Sequence, residues 1–190
     1  MLAQGGHVTP LARDTLAERR VTIVRDGIDP DAKDLAPAAD VRTVAVAGDH
    51  TSIALKAAIV RHLRSQGRAA HDHGTSTSDP VDYPDTAATA ALAVARREAD
   101  AAIVIDASGM GSAIAANKVP GARAAMCQTA ALARYAREHI GANVLALGAT
   151  LVTPEEALAV VDTFLGTPMQ EARYIRRLAK IRDLERRPRS

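Results

Sequence analysis

The sequence is poor in cysteine and in aromatic residues. Cys127 is the single cysteine among 190 residues, which excludes an intramolecular disulfide framework and a metal site built from several thiolates. Tryptophan is missing, and aromatic residues make up only 2% of the chain. The apolar residues, 47% of the total, are therefore mostly Ala, Val, Ile and Leu. We expect one core in which alanine-rich helices pack closely on a sheet.

Neither sign of charge dominates, since 24 basic and 22 acidic residues leave a formal net charge of +2. This balance does not favour a nucleic-acid surface. Basic residues concentrate near the C-terminus, but Asp183 and Glu185 interrupt them and no aromatic side chain is present there to stack on bases. No apolar run approaches the roughly 18 residues that span a bilayer, and the N-terminus lacks the pattern of a secretory signal. We expect a cytoplasmic protein with no nucleic-acid or membrane partner.

Residues 1–40 differ in pattern from the rest of the chain. Thr9 followed by Pro10 is typical of a helix start, and the apolar residues that follow predict a short amphipathic helix. Residues 21–24 predict a small strand, and the Gly, Pro and Asp of residues 27–37 predict a linker. We therefore expect an N-terminal extension over residues 1–40 and a single domain over residues 41–190.

From residue 41 onward, short apolar runs alternate with segments of helical period. The runs cover residues 43–47, 69–72, 101–105, 123–127 and 143–147, and the helical segments cover 52–66, 84–97, 111–118, 128–139 and 154–165. This alternation predicts a Rossmann-like three-layer α/β/α fold with a five-stranded parallel sheet. An extended C-terminal helix is expected over residues 168–187, and its apolar stripe, which includes Leu178 and Ile181, predicts docking on a second subunit.

Polar residues follow the first and third predicted strands, where parallel sheets bind ligands. Asp49 and His50 follow the first strand, and a neutral imidazole can transfer a proton near pH 7. The alternative is that Asp49 caps the next helix and His50 is an ordinary loop residue. Residues 106–112, Asp-Ala-Ser-Gly-Met-Gly-Ser, open a helix and can present backbone N–H groups to an anion such as a phosphate. This segment matches neither of the common nucleotide-binding loops.

Other positions carry groups suited to chemistry, each with a plainer alternative. Tyr83 begins a helix after a polar loop, and its alternative role is packing. His139 ends a helix, where a histidine often only stabilises the helix dipole. Arg173 and Arg177 are four residues apart on one helix face, where they either clamp a phosphate or face solvent.

These features occur in one order along the chain. They are Gly-Asp-His at 48–50, Asp-Tyr-Pro at 82–84, Ser-Gly-Met-Gly at 108–111, Ala-Ala-Asn-Lys-Val-Pro-Gly at 115–121, Arg-Glu-His at 137–139, Asn-Val-Leu-Ala-Leu-Gly at 143–148 and the two C-terminal arginines. In these motifs and their order the sequence resembles type B ribose-5-phosphate isomerases and the related galactose-6-phosphate isomerase subunits. The resemblance covers roughly residues 42–182.

The resemblance implies an aldose–ketose isomerase that acts on a sugar phosphate, such as ribose 5-phosphate, without a metal or other cofactor. It also implies a homodimer or homotetramer with active sites between subunits. The two histidines are implied to assist opening of the sugar ring, the two arginines to bind the phosphate, and the glycine-rich turn to stabilise an enediolate. The implied catalytic residues are Asp106, Ser108, His50 and His139, and the implied substrate-binding residues are Asp49, Tyr83, Gly109, Met110, Gly111, Ser112, Asn117, Arg173 and Arg177.

The chain departs from the family pattern at the position of the catalytic base. Most relatives carry a cysteine where this chain has Asp106, and a second branch carries a glutamate where this chain has Ser112. We expect Asp106 to act as the base, with a pKa raised by partial desolvation. The alternative is an A-type galactose-6-phosphate isomerase subunit, which carries a similar Asp-Ala-x-Gly-x-Gly-Ser segment and needs a partner isomerase subunit, or a sugar-phosphate binder without catalysis.

Three other positions bear on the substrate and on the missing thiol. Ile140 stands where relatives usually have asparagine, and Thr150 stands where many have arginine, so the substrate need not be ribose 5-phosphate. Cys127 is predicted within the fourth strand as a buried structural thiol and not as a replacement for the missing base.

The N-terminal extension has no counterpart in ordinary members of the family. Residues 8–14, Val-Thr-Pro-Leu-Ala-Arg-Asp, resemble the short targeting segments on enzymes of bacterial microcompartments. The resemblance implies a shell partner and a location inside such a compartment. The alternative is an arm that packs on the dimer.

Overall fold

A computed structural model of the protein describes residues 9, 12, 15, 35–169 and 172–187. Within residues 35–169 and 172–187 it gives five strands and six helices. The strands are β1 (Thr43–Gly48), β2 (Ala69–Asp72), β3 (Ala101–Asp106), β4 (Ala124–Met126) and β5 (Val144–Gly148). The helices are α1 (Ile53–Ser65), α2 (Tyr83–Ala95), α3 (Met110–Ala116), α4 (Ala130–Glu138), α5 (Pro154–Gly166) and α6 (Ala172–Glu185).

All five strands are parallel and lie in the order β2-β1-β3-β5-β4. The predicted α/β fold with a five-stranded parallel sheet is confirmed. From β1 the chain moves first outward to β2 and then back across to β3, so the direction of winding reverses between β1 and β3. In open parallel sheets, ligands bind in the crevice at such a switch point, at the carboxyl ends of the strands.

The two faces of the sheet have cores of different composition. One face packs against α1, α4 and α5 through large side chains such as Ile59, Leu63 and Phe164. The other face packs against α2 and α3, where most of the buried residues are alanines. Small side chains let these two helices approach the strands closely. The expected alanine-rich packing is therefore found on one face only.

The C-terminal helix docks partly on its own chain. Tyr174 and Leu178 are buried, and a Cβ on Gly141 would lie 2.8 Å from Leu178 Cδ1. Farther along, Glu185 Oε2 accepts a hydrogen bond from the N–H of Gly121 over 3.1 Å. The apolar stripe, which was predicted to dock on a second subunit, is thus partly buried on its own chain, while Leu184 farther along is 59% exposed.

Two arginines with little solvent access hold the chain just before β1. Arg123 Nη2 donates to the Leu35 carbonyl and Arg137 Nη2 donates to the Ala38 carbonyl, each over 2.7 Å. Most of the predicted extension, including the strand at residues 21–24, lies outside the described residues. Of its helix, only Ala12 and Thr15 are described, and the Ala12 N–H donates to Thr9 Oγ1 over 3.3 Å. None of the described helices has the length and hydropathy that crossing a membrane requires.

Candidate active site

Asp49 and Asp106 lie side by side at the switch point between β1 and β3. Gly48 pairs in register with Ile105, and the N–H of Asp49 donates to the Ile105 carbonyl over 3.2 Å. Asp106 is the last residue of β3. Both aspartates are buried, with 5% and 4% of their surface exposed. The carboxyl edge of the sheet therefore presents two adjacent buried acids.

The turn that follows Asp106 folds back on its carboxylate. Asp106 Oδ1 accepts hydrogen bonds from the N–H of Ser108 at 2.7 Å, the N–H of Gly109 at 2.6 Å and the Ser108 hydroxyl at 3.2 Å. Asp106 Oδ2 accepts from the N–H of Ser112 at 2.7 Å. The N–H groups that the sequence predicted to face an external anion are thus largely occupied by the chain's own carboxylate.

Burial raises the pKa of Asp106, but the Ser112 side chain and the N–H groups of Ser112, Gly109 and Ser108 outweigh it, and the pKa is held below its usual range. Hydrogen bonds to the charged form of a carboxylate favour ionisation. The expectation of a raised pKa was wrong, because the sequence does not show how many donors converge on one side chain. Asp106 is an ionised acceptor that holds the turn together.

Glycines bring the turn close to the sheet and to Tyr83. Gly109 has φ of +78°, and a Cβ there would lie 2.7 Å from the carbonyl carbon of Leu147. A Cβ on Gly111 would lie 2.6 Å from the Tyr83 ring, so the ring packs directly on the turn. The Ser112 side chain is fully buried beside the Asp106 carboxylate, whose pKa it lowers. Tyr83 and the turn therefore lie together, as a shared site requires.

Asp49 and His50 are fixed by contacts that the sequence did not predict. Asp49 Oδ1 accepts from the N–H of Thr51 at 2.9 Å and from its hydroxyl at 2.6 Å. His50 Nδ1 accepts from the N–H of Val81 at 3.2 Å, which leaves Nε2 to carry the proton of a neutral ring. Asp49 makes no capping bond to α1, whose N-cap is Ser52. The imidazole thus presents a donor, and it holds the loop before α2.

His139 lies at the opposite edge of the sheet. Helix α4 follows β4 and runs antiparallel to the strands. His139, at the end of this helix, therefore lies just before β5, at the amino ends of the strands. Its ring stacks on Tyr174 with 4.9 Å between centroids and meets Tyr135 edge-on at 4.9 Å. The guanidinium of Arg177 lies 5.5 Å from the Tyr174 ring centre. A strand of six residues is roughly 17–20 Å long, so this cluster cannot meet Asp106 within one chain.

Not every predicted substrate contact reaches the carboxyl edge. Asn117 caps α3 at its far end, and its side-chain amide exchanges two hydrogen bonds with the backbone of Ala124, at 2.8 and 2.9 Å. The structure therefore gives Asn117 a different role from the predicted one, because both ends of its amide hold the start of β4. Arg173 lies in α6, and its side chain is outside the described part of the structure.

Several contributors to this arrangement were missed in the sequence. Lys56 is buried and pairs with Asp72 through both carboxylate oxygens at 2.5 and 2.6 Å, while Asp72 Oδ1 also accepts from the N–H of Gly74. This pair fixes the loop beside Gly48. Tyr135 and Tyr174 were missed as well, although their rarity in a chain with three tyrosines was a usable signal.

Comparison with known proteins agrees with this geometry. Residues 44–181 match the family model described as Ribose/Galactose Isomerase. The chain is 40% identical over 147 residues to ribose-5-phosphate isomerase B of Escherichia coli K12, with 77% of this chain and 99% of that protein covered. The ribose-5-phosphate isomerase B structure from Clostridium thermocellum is 43% identical with a TM-score of 0.74, covering 75% of this chain and 97% of that one. The Mycoplasma genitalium enzyme with bound ribulose-5-phosphate is 36% identical with a TM-score of 0.74, covering 77% and 97%. The chain belongs to the ribose/galactose isomerase family.

Proposed function

We propose that the chain interconverts an aldose phosphate and the corresponding ketose phosphate, with ribose 5-phosphate and ribulose 5-phosphate as the first candidates. The observation that carries the proposal is the meeting of Asp49, His50 and the Ser108–Ser112 turn at the β1/β3 switch point. The match to relatives named ribose-5-phosphate isomerase B extends over nearly the whole length of those relatives. The substrate assignment rests on those relatives.

The reaction moves one hydrogen within the sugar, so no external hydride carrier is required. His50 presents Nε2–H toward the ring oxygen, assisted by His139 of a second subunit, and the ring opens. A base then removes the proton from C2 of the aldose and returns it to C1, through an enediolate held near the turn. Arg173 and Arg177 bind the phosphate, as bidentate guanidinium groups commonly do.

A second copy of the chain completes this site in the proposal. His139 and Arg177 lie at the amino edge of the sheet, and the switch point lies at the carboxyl edge, so one chain supplies only half of the groups. Met110 and Ile114 on α3 are 57% and 63% exposed next to the turn. Large exposed apolar side chains beside an incomplete site support a homodimeric or homotetrameric assembly.

A second candidate function is favoured by one specific contact set. Asp106 occupies the N–H groups of Ser108, Gly109 and Ser112 and places a negative charge where an enediolate would form. Like charges in one pocket disfavour each other. A chain of this kind would bind a sugar phosphate, or act beside a partner isomerase subunit, without turnover of its own.

Activity of the purified protein separates the two candidates. We expect saturable isomerisation of ribose 5-phosphate without added metal, followed by the appearance of the ketose. Erythrose 4-phosphate and galactose 6-phosphate are the comparison substrates, because Ile140 and Thr150 depart from the family pattern. Binding of these sugars in calorimetry without any turnover would favour the second candidate.

The N-terminal extension has a separate proposed role. The family match leaves residues 1–43 uncovered, which supports an added function for this segment, in the cytoplasm or inside a microcompartment. Deletion of residues 1–34 is expected to abolish association with a microcompartment shell while leaving oligomer size and isomerisation unchanged. Unchanged shell association would exclude targeting, and a change of oligomer size in light scattering would indicate an arm on the dimer instead.

A further inference from the structure

The switch point holds two carboxylates where the reaction needs one base. The N–H of Asp49 bonds to the carbonyl of Ile105, the residue before Asp106, so the two backbones lie about 5 Å apart on neighbouring strands. Two residues earlier on each strand, Ala47 and Val104 both face the alanine-rich side of the sheet. Asp106 ends β3, and Asp49 directly follows β1 with its N–H still bonded to β3. If the alternation of side chains along the strands continues through Asp49, both carboxylates are directed toward α2 and α3.

The two carboxylates differ in how their oxygen atoms are used. Both oxygens of Asp106 accept backbone N–H groups, three in all, and the Ser108 hydroxyl adds a fourth donor. A carboxylate has about four lone-pair sites for acceptance, so this group is close to saturation. To take up a proton, Asp106 would have to release donors that hold the turn in place.

Asp49 keeps one oxygen available. Its Oδ1 accepts from the N–H and the hydroxyl of Thr51, which fixes the side chain at the edge of the sheet. Its Oδ2 accepts no hydrogen bond from any residue that the structure describes. The residue is 5% exposed. It precedes His50, and its backbone neighbours the end of β3 from which the Ser108–Ser112 turn continues, where the reacting carbons of the sugar would be placed.

We propose that Asp49, and not Asp106, carries the proton between the two carbons of the substrate, and that Asp106 is a positioning residue for the turn. The assignment rests on the proposed isomerase function. The Asp49 carboxylate takes the proton from C2, the C–H electron pair forms the C1–C2 double bond, and the aldehyde oxygen at C1 takes the charge. The Asp49 carboxylic acid then gives its proton to C1. At the same time the C2–OH group becomes the C2 carbonyl, and the hydroxyl proton passes to the oxygen on C1.

The test compares Asp49→Asn with Asp106→Asn in D2O, by isomerisation rate and by deuterium incorporation at the sugar carbons. We expect Asp49→Asn to lower kcat about 10³-fold, the range of a lost general base, with KM within about threefold of the parent and no deuterium incorporation. Asp106→Asn keeps an oxygen for Ser108 and Gly109 and is expected to lower kcat only about tenfold. Asp85→Asn, an exposed aspartate in the first turn of α2, is the matched control and keeps the parent rate.

A rescue experiment distinguishes proton transfer from sugar binding. Asp106→Cys introduces a thiol beside residue 49, and in the Asp49→Asn background it is expected to restore kcat at least about tenfold. The restored activity should be lost on treatment with iodoacetamide. Cys127 does not interfere, since it is buried and burial raises the pKa of its thiol to about 11.

Each other outcome contradicts the proposal in a recognisable way. An Asp49→Asn variant that isomerises within threefold of the parent, or an Asp106→Asn variant with the deeper loss of kcat, would overturn the assignment of Asp49. So would an Asp49→Asn variant that no longer binds the sugar phosphate and is not rescued by the thiol, because Asp49 would then be a sugar contact. If the folded parent protein neither isomerises the sugar nor incorporates deuterium into it, the proposed function and this assignment are both overturned. If the parent and the Asp49→Asn variant are both active, only the assignment of Asp49 is overturned.

Discussion

Mixing two inactive variants of this protein is expected to restore isomerase activity. Asp49→Asn damages the carboxyl edge of the sheet and His139→Asn damages the amino edge, and the two edges are separated by the roughly 17–20 Å length of the strands. If a site takes one edge from each subunit, a mixed dimer has one site with both defects and one intact site. Random pairing then gives about a quarter of the parent activity, up from about a thousandth for Asp49→Asn alone.

The measurement is the isomerisation rate after the two variants have exchanged subunits, with exchange verified by co-purification of two different tags. Asp49→Asn mixed with His50→Asn is the control, because both defects lie on the carboxyl edge and every mixed site then keeps one of them. No recovery in the first mixture, despite verified exchange, would show that His139 and Asp49 do not serve one shared site.

Replacing Asp106 with asparagine is expected to lower the free energy of unfolding by about 2–4 kcal/mol at pH 7. Asparagine keeps a carbonyl oxygen for the N–H groups of Ser108 and Gly109, but it turns an NH2 group toward the N–H of Ser112. A buried donor then faces another donor. Urea unfolding of the parent and the variant measures the difference, with Asp85→Asn as the exposed control.

The same difference in stability is expected to shrink in acid. The folded-state pKa of Asp106 lies below its usual range, whereas the unfolded value is about 3.9. The stabilisation from the ionised group is therefore fully present above about pH 4 and is lost as the pH falls through the lower folded-state pKa. A difference between parent and variant that stays constant from pH 7 to pH 2.5 would contradict the role of Asp106 as an ionised acceptor.

Much of the fold followed from local pattern. The five apolar runs became the five strands, and the predicted start of α5 at residue 154 was confirmed, because Thr153 and Glu156 form reciprocal caps there. Such features depend on residues that are close in sequence. The strand order, with β5 between β3 and β4, was not predicted, because it depends on contacts between segments far apart in the chain.

The residues grouped as a candidate site do not all lie together in one chain. Asp49, His50, Tyr83 and the turn after Asp106 lie at the carboxyl edge, because each follows or begins an element there, and their roles in the reaction stay predictions. Of the other grouped residues, His139 lies at the opposite edge, from which it could serve only the implied site between subunits, and Asn117 binds the backbone of β4. The strand–helix–strand order already places the end of α4 at the amino edge, but the packing of His139 on Tyr174 depends on where α6 docks.

The sequence by itself determined the fold class, an aliphatic core with few aromatic residues, and the position of the carboxyl-edge residues, including the aspartate at the end of the third strand. These follow from residue type and from spacing within one element. The tertiary structure alone decided that three N–H groups converge on Asp106, that Asp49 Oδ2 accepts no hydrogen bond from the described residues, and that His139 packs on Tyr174. Each of these depends on how separate segments meet in space, since a side chain's proton affinity and reach are set by the groups packed around it.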